Sequence, residues 1–391
     1  MQASIIKRIG ALCLGLGLGC ALPATAQVRV GFVGTLSGPG GALGQDQYDA
    51  FMLALAHLGG KLGGQPVKVV REDDQLRPDV GAQAVQKLIE KEKVQVITGM
   101  TFSNVLLATY KSIVEREVFL IGSNAGPSQM AGAQCSPFFF STSWQNDEQY
   151  EVMGKHVQER GYQRVFLLAP NYQAGKDAVA GFKRYYEGQI ADEVYTQVNQ
   201  PDYAAELAQV QAARPDAVFV FYPGGMGVNF VKQYQQAGLL GKVPLFTGST
   251  LDGTTLPALK DAALGAWSGA AWSPDLNVAA NRKFVADFEK TYRRTPSHYA
   301  AYSYDAAMLL DSAVRKVGGK LDDKKAFQAA LKSADFNSVR GNFRFNSNQF
   351  PIADFHALEV VRDRAGQVGL ATRKTVFREH RDAYYKRCPL R

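Results

Sequence analysis

The sequence predicts an α/β fold made of two doubly wound parallel sheets, each covered by helices. A strand–loop–helix unit recurs along most of the 391 residues. Its strands are continuously apolar, as in parallel sheets buried on both faces. With 46% hydrophobic residues over this length, the chain can bury two cores rather than one.

The first series opens with Val28-Arg-Val-Gly-Phe-Val-Gly34, an apolar strand, and the glycine-rich loop 37–44. Tyr48, Phe51, Met52, Leu55 and Leu58 then recur at helical spacing. A strand over 66–70 and a helix begun by Pro78 follow, with Val80, Ala84, Val85, Leu88 and Ile89 on one face. Next come the strand 94–97 with its helix to 116, and the strand 118–121 with the turn 122–127. The second series places a helix over 146–160 and strands at 164–169, 193–198, 217–221 and 243–246, with helices between them. Helices over 278–293, 299–317 and 322–333 form a return. Short strands at 342–345 and 354–361 precede a basic tail.

Residues 1–26 read as a secretory signal. Lys7 and Arg8 precede an apolar run from Ile9 to Leu22, and Ala24-Thr-Ala26 offers a cleavage site. The alternative is a lipoprotein anchored through Cys20, for which Gly17-Leu-Gly is a poor match. The predicted location is the periplasm. Without these residues the formal charge falls from +8 to +6, because they hold two basic residues and no acidic one. The basic residues are scattered, so nucleic-acid binding has little support. Cys135 and Cys388 are then the only cysteines left, and an oxidising compartment favours a disulfide between them over two free thiols or an interchain bridge.

Enzyme chemistry is poorly represented. The loop 37–44 contains neither GxGxxG nor GxxxxGK[ST], no GxSxG occurs, and the five histidines are isolated. No cofactor or metal is expected. Asp73-Asp74 reads better as a solvated strand end than as a metal-binding pair. Open sheets of this kind bind ligands outside the carboxyl ends of their strands. The stretch from Val94 to Ser103 is the best such place, since a strand runs through a glycine turn into a helix start. Helix N-termini present free N–H groups and a positive dipole end to an anion. The simpler role for Ser103 is to cap its own helix. Donors at Ser103, Asn104 and Asn124, close backbone approach at Gly99 and Gly126, walls from Tyr172, Tyr222 and Tyr299, and Met226 complete the candidates for small-molecule capture.

Several strings in these loops carry a resemblance. They are Val30-Gly-Phe-Val-Gly-Thr-Leu-Ser-Gly-Pro39, Asp73-Asp74, the loops to Ser103 and Pro127, Asn171-Tyr-Gln-Ala-Gly-Lys-Asp177 and Tyr299-Ala-Ala-Tyr-Ser-Tyr-Asp-Ala-Ala307. In order and spacing the chain from 28 to 391 resembles the periplasmic solute-binding proteins of ABC transporters, of the type that includes leucine/isoleucine/valine-binding proteins. The resemblance implies two lobes joined by three crossovers near 142–144, 271–274 and 348–352. One lobe would be 28–142 with 273–350, the other 143–272 with 351–391. It implies a carboxylate held by Ser103 with Asn124, Ala125 and Gly126, and an aromatic wall at Tyr299. The family's amino-acid binders hold the ligand's ammonium with an acidic residue where this chain has Thr250, and use a threonine where it has Gly126. That departure counts against an α-amino acid ligand unless Asp252, two residues on, replaces the missing acid, whereas the Asn124-Ala-Gly126 turn and the Asn171-Tyr172 loop resemble those of family members that bind aromatic carboxylates such as benzoate derivatives; a branched-chain or other amino acid is the alternative. The implied partner is an inner-membrane permease, with the protein acting as a monomer. A sensor lobe for a membrane kinase would show the same features.

Overall fold

The computed structural model describes residues 27–363 and 366–390. The signal reading over 1–26, with Cys20, lies outside the described residues. Six strands form the first sheet: β1 (Val28–Gly34), β2 (Lys61–Leu62), β3 (Gln65–Asp73), β4 (Val96–Gly99), β5 (Phe119–Gly122) and β6 (Phe139–Ser141). Their order is β2-β3-β1-β4-β5-β6, and all neighbours except β2 and β3 are parallel. Val30, Phe32, Ile97 and Leu120 are fully buried between the helix layers. Each such side chain contributes about 1.5–3 kcal/mol by leaving water.

Eight strands form the second sheet: β7 (Arg164–Pro170), β8 (Gln189–Thr196), β9 (Ala217–Val220), β10 (Leu245–Gly248), β11 (Trp267–Ala270), β12 (Arg344–Phe345), β13 (Pro351–Arg362) and β14 (Val368–His380). Strands β7 to β11 are parallel, and β12, β13 and β14 join as an antiparallel edge. The helix His298–Lys316 returns to the first unit, where Tyr304 Oη lies 2.8 Å from His57 Nδ1 and Asp311 accepts from Gly63 N at 2.7 Å. Three stretches of chain thus cross between the units: after β6, after β11 and before β12.

Three local expectations are corrected. The glycines of 37–44 do not form an open loop: a single 3₁₀ turn leads into a helix that starts at Gly41. That helix sits so close to the end of β1 that a Cβ on Gly44 would lie 2.1 Å from the carbonyl oxygen of Thr35. Asp74 is not solvated. It is fully buried and accepts from Thr35 Oγ1 and Leu76 N, while Asp73 accepts from Leu36 N and Gln75 N. The pair ties the loop after β1 to the end of β3, and no acidic, histidine or cysteine group suited to a metal occurs among the described residues. The basic tail contains β14, a 13-residue strand paired with β13.

Cys135 and Cys388 form a disulfide with Cα atoms 5.7 Å apart, 253 residues apart in sequence. The bridge pins the C-terminal segment against the first unit. Asp382 there accepts from Asn348 Nδ2 and Tyr384 Oη donates to Asp147. Loop-closure entropy for so long a span is roughly 5–6 kcal/mol. Cys388→Ser should therefore lower the unfolding free energy by about that amount in denaturant titrations. Mass spectrometry of alkylated, non-reduced protein should find no alkyl group on either cysteine; two would remove the bridge from this account.

Candidate functional site

Loops from the carboxyl ends of both sheets converge on a narrow cavity between them. The first unit supplies Thr101, Phe102 and Ser103 after β4, and Asn124 and Ala125 after β5. The second supplies Tyr172 and Ala174 after β7, Phe221 and Pro223 after β9, and Ser249 after β10. Trp144, Asn146 and Tyr150 come from the first crossover, and Tyr299 from the return helix.

The end of the cavity at β4 and the helix after it is built by backbone geometry. Gly99 has φ +105°, and a Cβ there would lie 2.2 Å from Val33 O, so only glycine fits where β4 turns against β1. The helix Ser103–Val114 then begins with its first bond from Leu106 N to Phe102 O. The N–H groups of 103–105 therefore have no partner within the helix and point into the turn before it. The cap residue is Phe102, and Ser103 does not cap the helix with its side chain. Its Oγ instead accepts from Asn146 Nδ2 at 3.1 Å. Behind this end a buried polar chain fixes the loops: Thr101 Oγ1 donates to Gln47 Oε1 at 2.7 Å, and Gln47 Nε2 to Ser123 Oγ at 2.9 Å.

Asn146 joins the two sides. Its Oδ1 accepts from Gly126 N at 3.0 Å, and its Nδ2 also donates to Asp177 Oδ2 at 2.9 Å. Beside it Asp147 and Glu148 are fully buried. Burial, and next the Asp177 carboxylate, push Asp147 up to about 6 despite its Arg184 partner. Burial and then Asp382 push Glu148 well above the usual carboxylate range.

The far end is aromatic. Tyr172 stacks on Phe221 with centroids 6.2 Å apart and lies 6.3 Å from Phe102. Ser249, in the left-handed region at φ +51°, presents an Oγ that donates to Gln149 Oε1 and lies 3.1 Å from His298 Nε2. Burial holds the His298 imidazole at about 3, so it is neutral at working pH. Two polar atoms on the cavity wall have no partner among the described residues, Nε1 of Trp144 and Oδ1 of Asn124. Both are buried atoms that a bound molecule would satisfy.

Of the residues singled out from sequence, Ser103, Asn124, Ala125, Tyr172 and Tyr299 meet on this wall. Five others do not line it. Gly126 spends its N–H on Asn146, and a Cβ there would lie 2.1 Å from Trp144 O, which leaves no room for a threonine. Asn104 lies one step along the helix, and its buried Oδ1 has no partner among the described residues. Met226 is core, its sulfur accepting from Asn199 N, and Thr250 Oγ1 accepts from Tyr222 N. Tyr222 is likewise buried against Tyr203 and Phe230. Sequence reasoning missed Trp144, Asn146, Tyr150 and Phe102. Phe221, at the end of a buried strand, carried a positional signal that the loop rule could have used.

The family model described as "Periplasmic binding protein" matches residues 27–366. The chain belongs to this family. A solute-binding protein of an ABC transporter from R. palustris, solved in complex with benzoate, superposes with a TM-score of 0.88 at 29% identity, covering 93% of this chain and 100% of that one. Another from Rhodopseudomonas palustris BisB5, in complex with 3,4-dihydroxybenzoic acid, gives 0.84 at 27% identity over 91% and 99%. The Leu/Ile/Val-binding protein homolog 6 of Brucella melitensis is 26% identical over 323 residues, 80% of this chain and 82% of that one. The family's fold is the one described above, two α/β lobes around a cleft. This family member has no helix among its described residues long and apolar enough to cross a membrane.

The His298 position carries a pH test. Its folded-state value near 3 lies below the ordinary 6.5, so the unfolded chain takes up the proton first and stability is lost as pH falls from about 6.5 toward 3. His298→Gln should flatten this loss by up to about 1.4 kcal/mol per pH unit. Denaturant unfolding of both proteins at pH 7, 5.5 and 4.5 measures it; equal slopes would place the proton elsewhere.

Proposed function

We propose that the chain captures a small aromatic carboxylate between its lobes and delivers it to the permease of an ABC importer. The carrying observation is the character of the cavity wall. Among the described residues that line it, six are aromatic (Phe102, Trp144, Tyr150, Tyr172, Phe221 and Tyr299) and none is charged. An α-amino acid would bring an ammonium group with no carboxylate to meet it, a costly burial. Asp252 does not supply one on this wall. It is buried behind Tyr299, whose phenol it helps to raise after burial itself, and it lines a different cavity. A benzoate needs only what is present: neutral donors and a helix N-terminus for its carboxylate, and flat walls for its ring.

In this reading the carboxylate meets Ser103 Oγ and the amides of 103–105, and the ring lies between Tyr172, Phe221, Trp144 and Tyr299. The benzoate and dihydroxybenzoic acid seen in the R. palustris proteins support the ligand class. The name of the Brucella relative favours a branched-chain amino acid as the second reading. The proposed lobes are 28–142 with 273–350 and 143–272 with 351–391. Residues 1–26 would direct export to the periplasm, with cleavage near Ala26, and the mature protein would work as a monomer.

A ligand that binds only the folded state at 100 times its Kd stabilises it by about 2.7 kcal/mol. Benzoate or 4-hydroxybenzoate should therefore raise the melting temperature of ligand-stripped protein, and leucine should not. Stabilisation by leucine alone would overturn the ligand class. Ser103→Ala should weaken benzoate binding by about 1–3 kcal/mol in calorimetry, as for a lost charge-assisted hydrogen bond. Unchanged affinity would remove Ser103 from the carboxylate end.

A further inference from the structure

A second, larger groove of about 1540 Å³ lies on the other side of the loop 249–257. Its floor and one wall belong to the second unit: the loop 251–257, the stretch from β11 to Asp275, and the facing parts of β13 and β14. The opposite wall, 289–298, is held to the first unit, since Tyr292 Oη donates to Asp49 O and Arg294 pairs with Asp46 and Asp49. Leu256, Pro257, Trp272, Leu358, Val361 and Leu370 make the lining largely apolar.

One polar feature of this groove is unresolved by the protein itself. Asp252 is 1% exposed, and its Oδ1 accepts from Thr254 N and Oγ1 at 2.6 Å each. Its Oδ2 is buried without a partner among the described residues. Among the described residues no cation pairs with it. Burial raises Asp252 to about 6, and the Asp46 carboxylate adds to the rise. A buried carboxylate oxygen left without donor or cation is costly. The charged groups elsewhere on the groove are Asp275, Glu289 and Asp363 against Arg293 and Arg294. Arg294 is already neutralised by its two aspartates, and His298 on this wall is uncharged. With Asp363 engaged elsewhere, Asp252, Asp275 and Glu289 still outweigh Arg293, so the groove's balance is acidic over an apolar surface.

We infer that this groove is a second binding site, taking a small organic cation whose ammonium group meets Asp252 Oδ2 and whose hydrocarbon part lies on Leu256, Leu358 and Leu370. It is separate from the carboxylate cavity, and the two share only the wall made by the loop 249–252 and His298. His298 lines the groove while its Nε2 meets Ser249, which lines the cavity. An occupant would touch both units at once.

Hexylammonium is a suitable probe, with hexanol and hexanoate as its neutral and anionic counterparts. Isothermal titration calorimetry of the full chain, without benzoate, should give one hexylammonium site at least tenfold tighter than either counterpart. Asp252→Asn should weaken it tenfold or more while leaving hexanol unchanged. Gly369 provides a variant that does not touch the core: it lines the groove on β14, and a Cβ there would meet nothing within 4 Å. Gly369→Trp should fill the groove and abolish hexylammonium binding with the melting temperature of the free protein held. Hexanoate binding as tightly as hexylammonium would assign the groove to anions through Arg293 and overturn the inference. Hexylammonium affinity that survives both substitutions, or no binding to the parent at millimolar probe, would also overturn it.

Discussion

The side chain of Asn146 is the point on which the geometry of the cleft depends. Its oxygen takes the Gly126 amide from the first unit, and its nitrogen gives to Ser103 of the first and Asp177 of the second. A donor on one side and acceptors on the other fix the orientation of the amide, because a flipped side chain would face an N–H with its own NH₂. The backbone adds a return bond, from Asn146 N to Gly126 O at 2.8 Å. The start of the helix Ser103–Val114 and the turn after β5 are therefore positioned by one residue of the connecting chain.

That residue opens a run of buried acids. Asp147 and Glu151 share Arg184, His380 Nε2 contacts Glu151, and Asp177 collects Ser128, Gln173 and Asn146. Buried carboxylates are tolerated when such bonds offset their lost hydration. Here the network extends from the first crossover through the helix Gln173–Arg184 to the C-terminal segment. Polar networks of this kind fix one arrangement of packed elements, since each partner is expensive to leave unmet.

The outline of the fold was legible because it rests on periodicity and on apolar runs, which the strands β1, β4, β5, β7 and β9 display plainly. The rule that ligands meet the carboxyl ends of such strands brought Ser103, Asn124, Ala125, Tyr172 and Tyr299 into view. Trp144, Asn146 and Tyr150 stayed hidden because they sit in a crossover with no strand–loop–helix grammar to index it. Strand β14 was hidden differently. It is an edge strand, and Arg373, Lys374 and Arg378 on its exposed face read as a charged tail. Asp74 misled in the opposite direction, since a carboxylate beside a second one looks solvated until the Thr35 hydroxyl that takes it is placed in space.

The Cys135–Cys388 bridge makes the chain between them a covalent ring. All three crossovers lie inside that ring, so a single backbone cut anywhere in it would leave one molecule rather than two. The bridge also acts as a fourth strut between the units, and an inextensible one. Any movement of one unit against the other must leave Cys135 and Cys388 in bonding contact, so near the bridge it is limited to what the segment between β14 and Cys388 allows. The tail beyond β14, which reads as an afterthought of the sequence, is in this sense a tether.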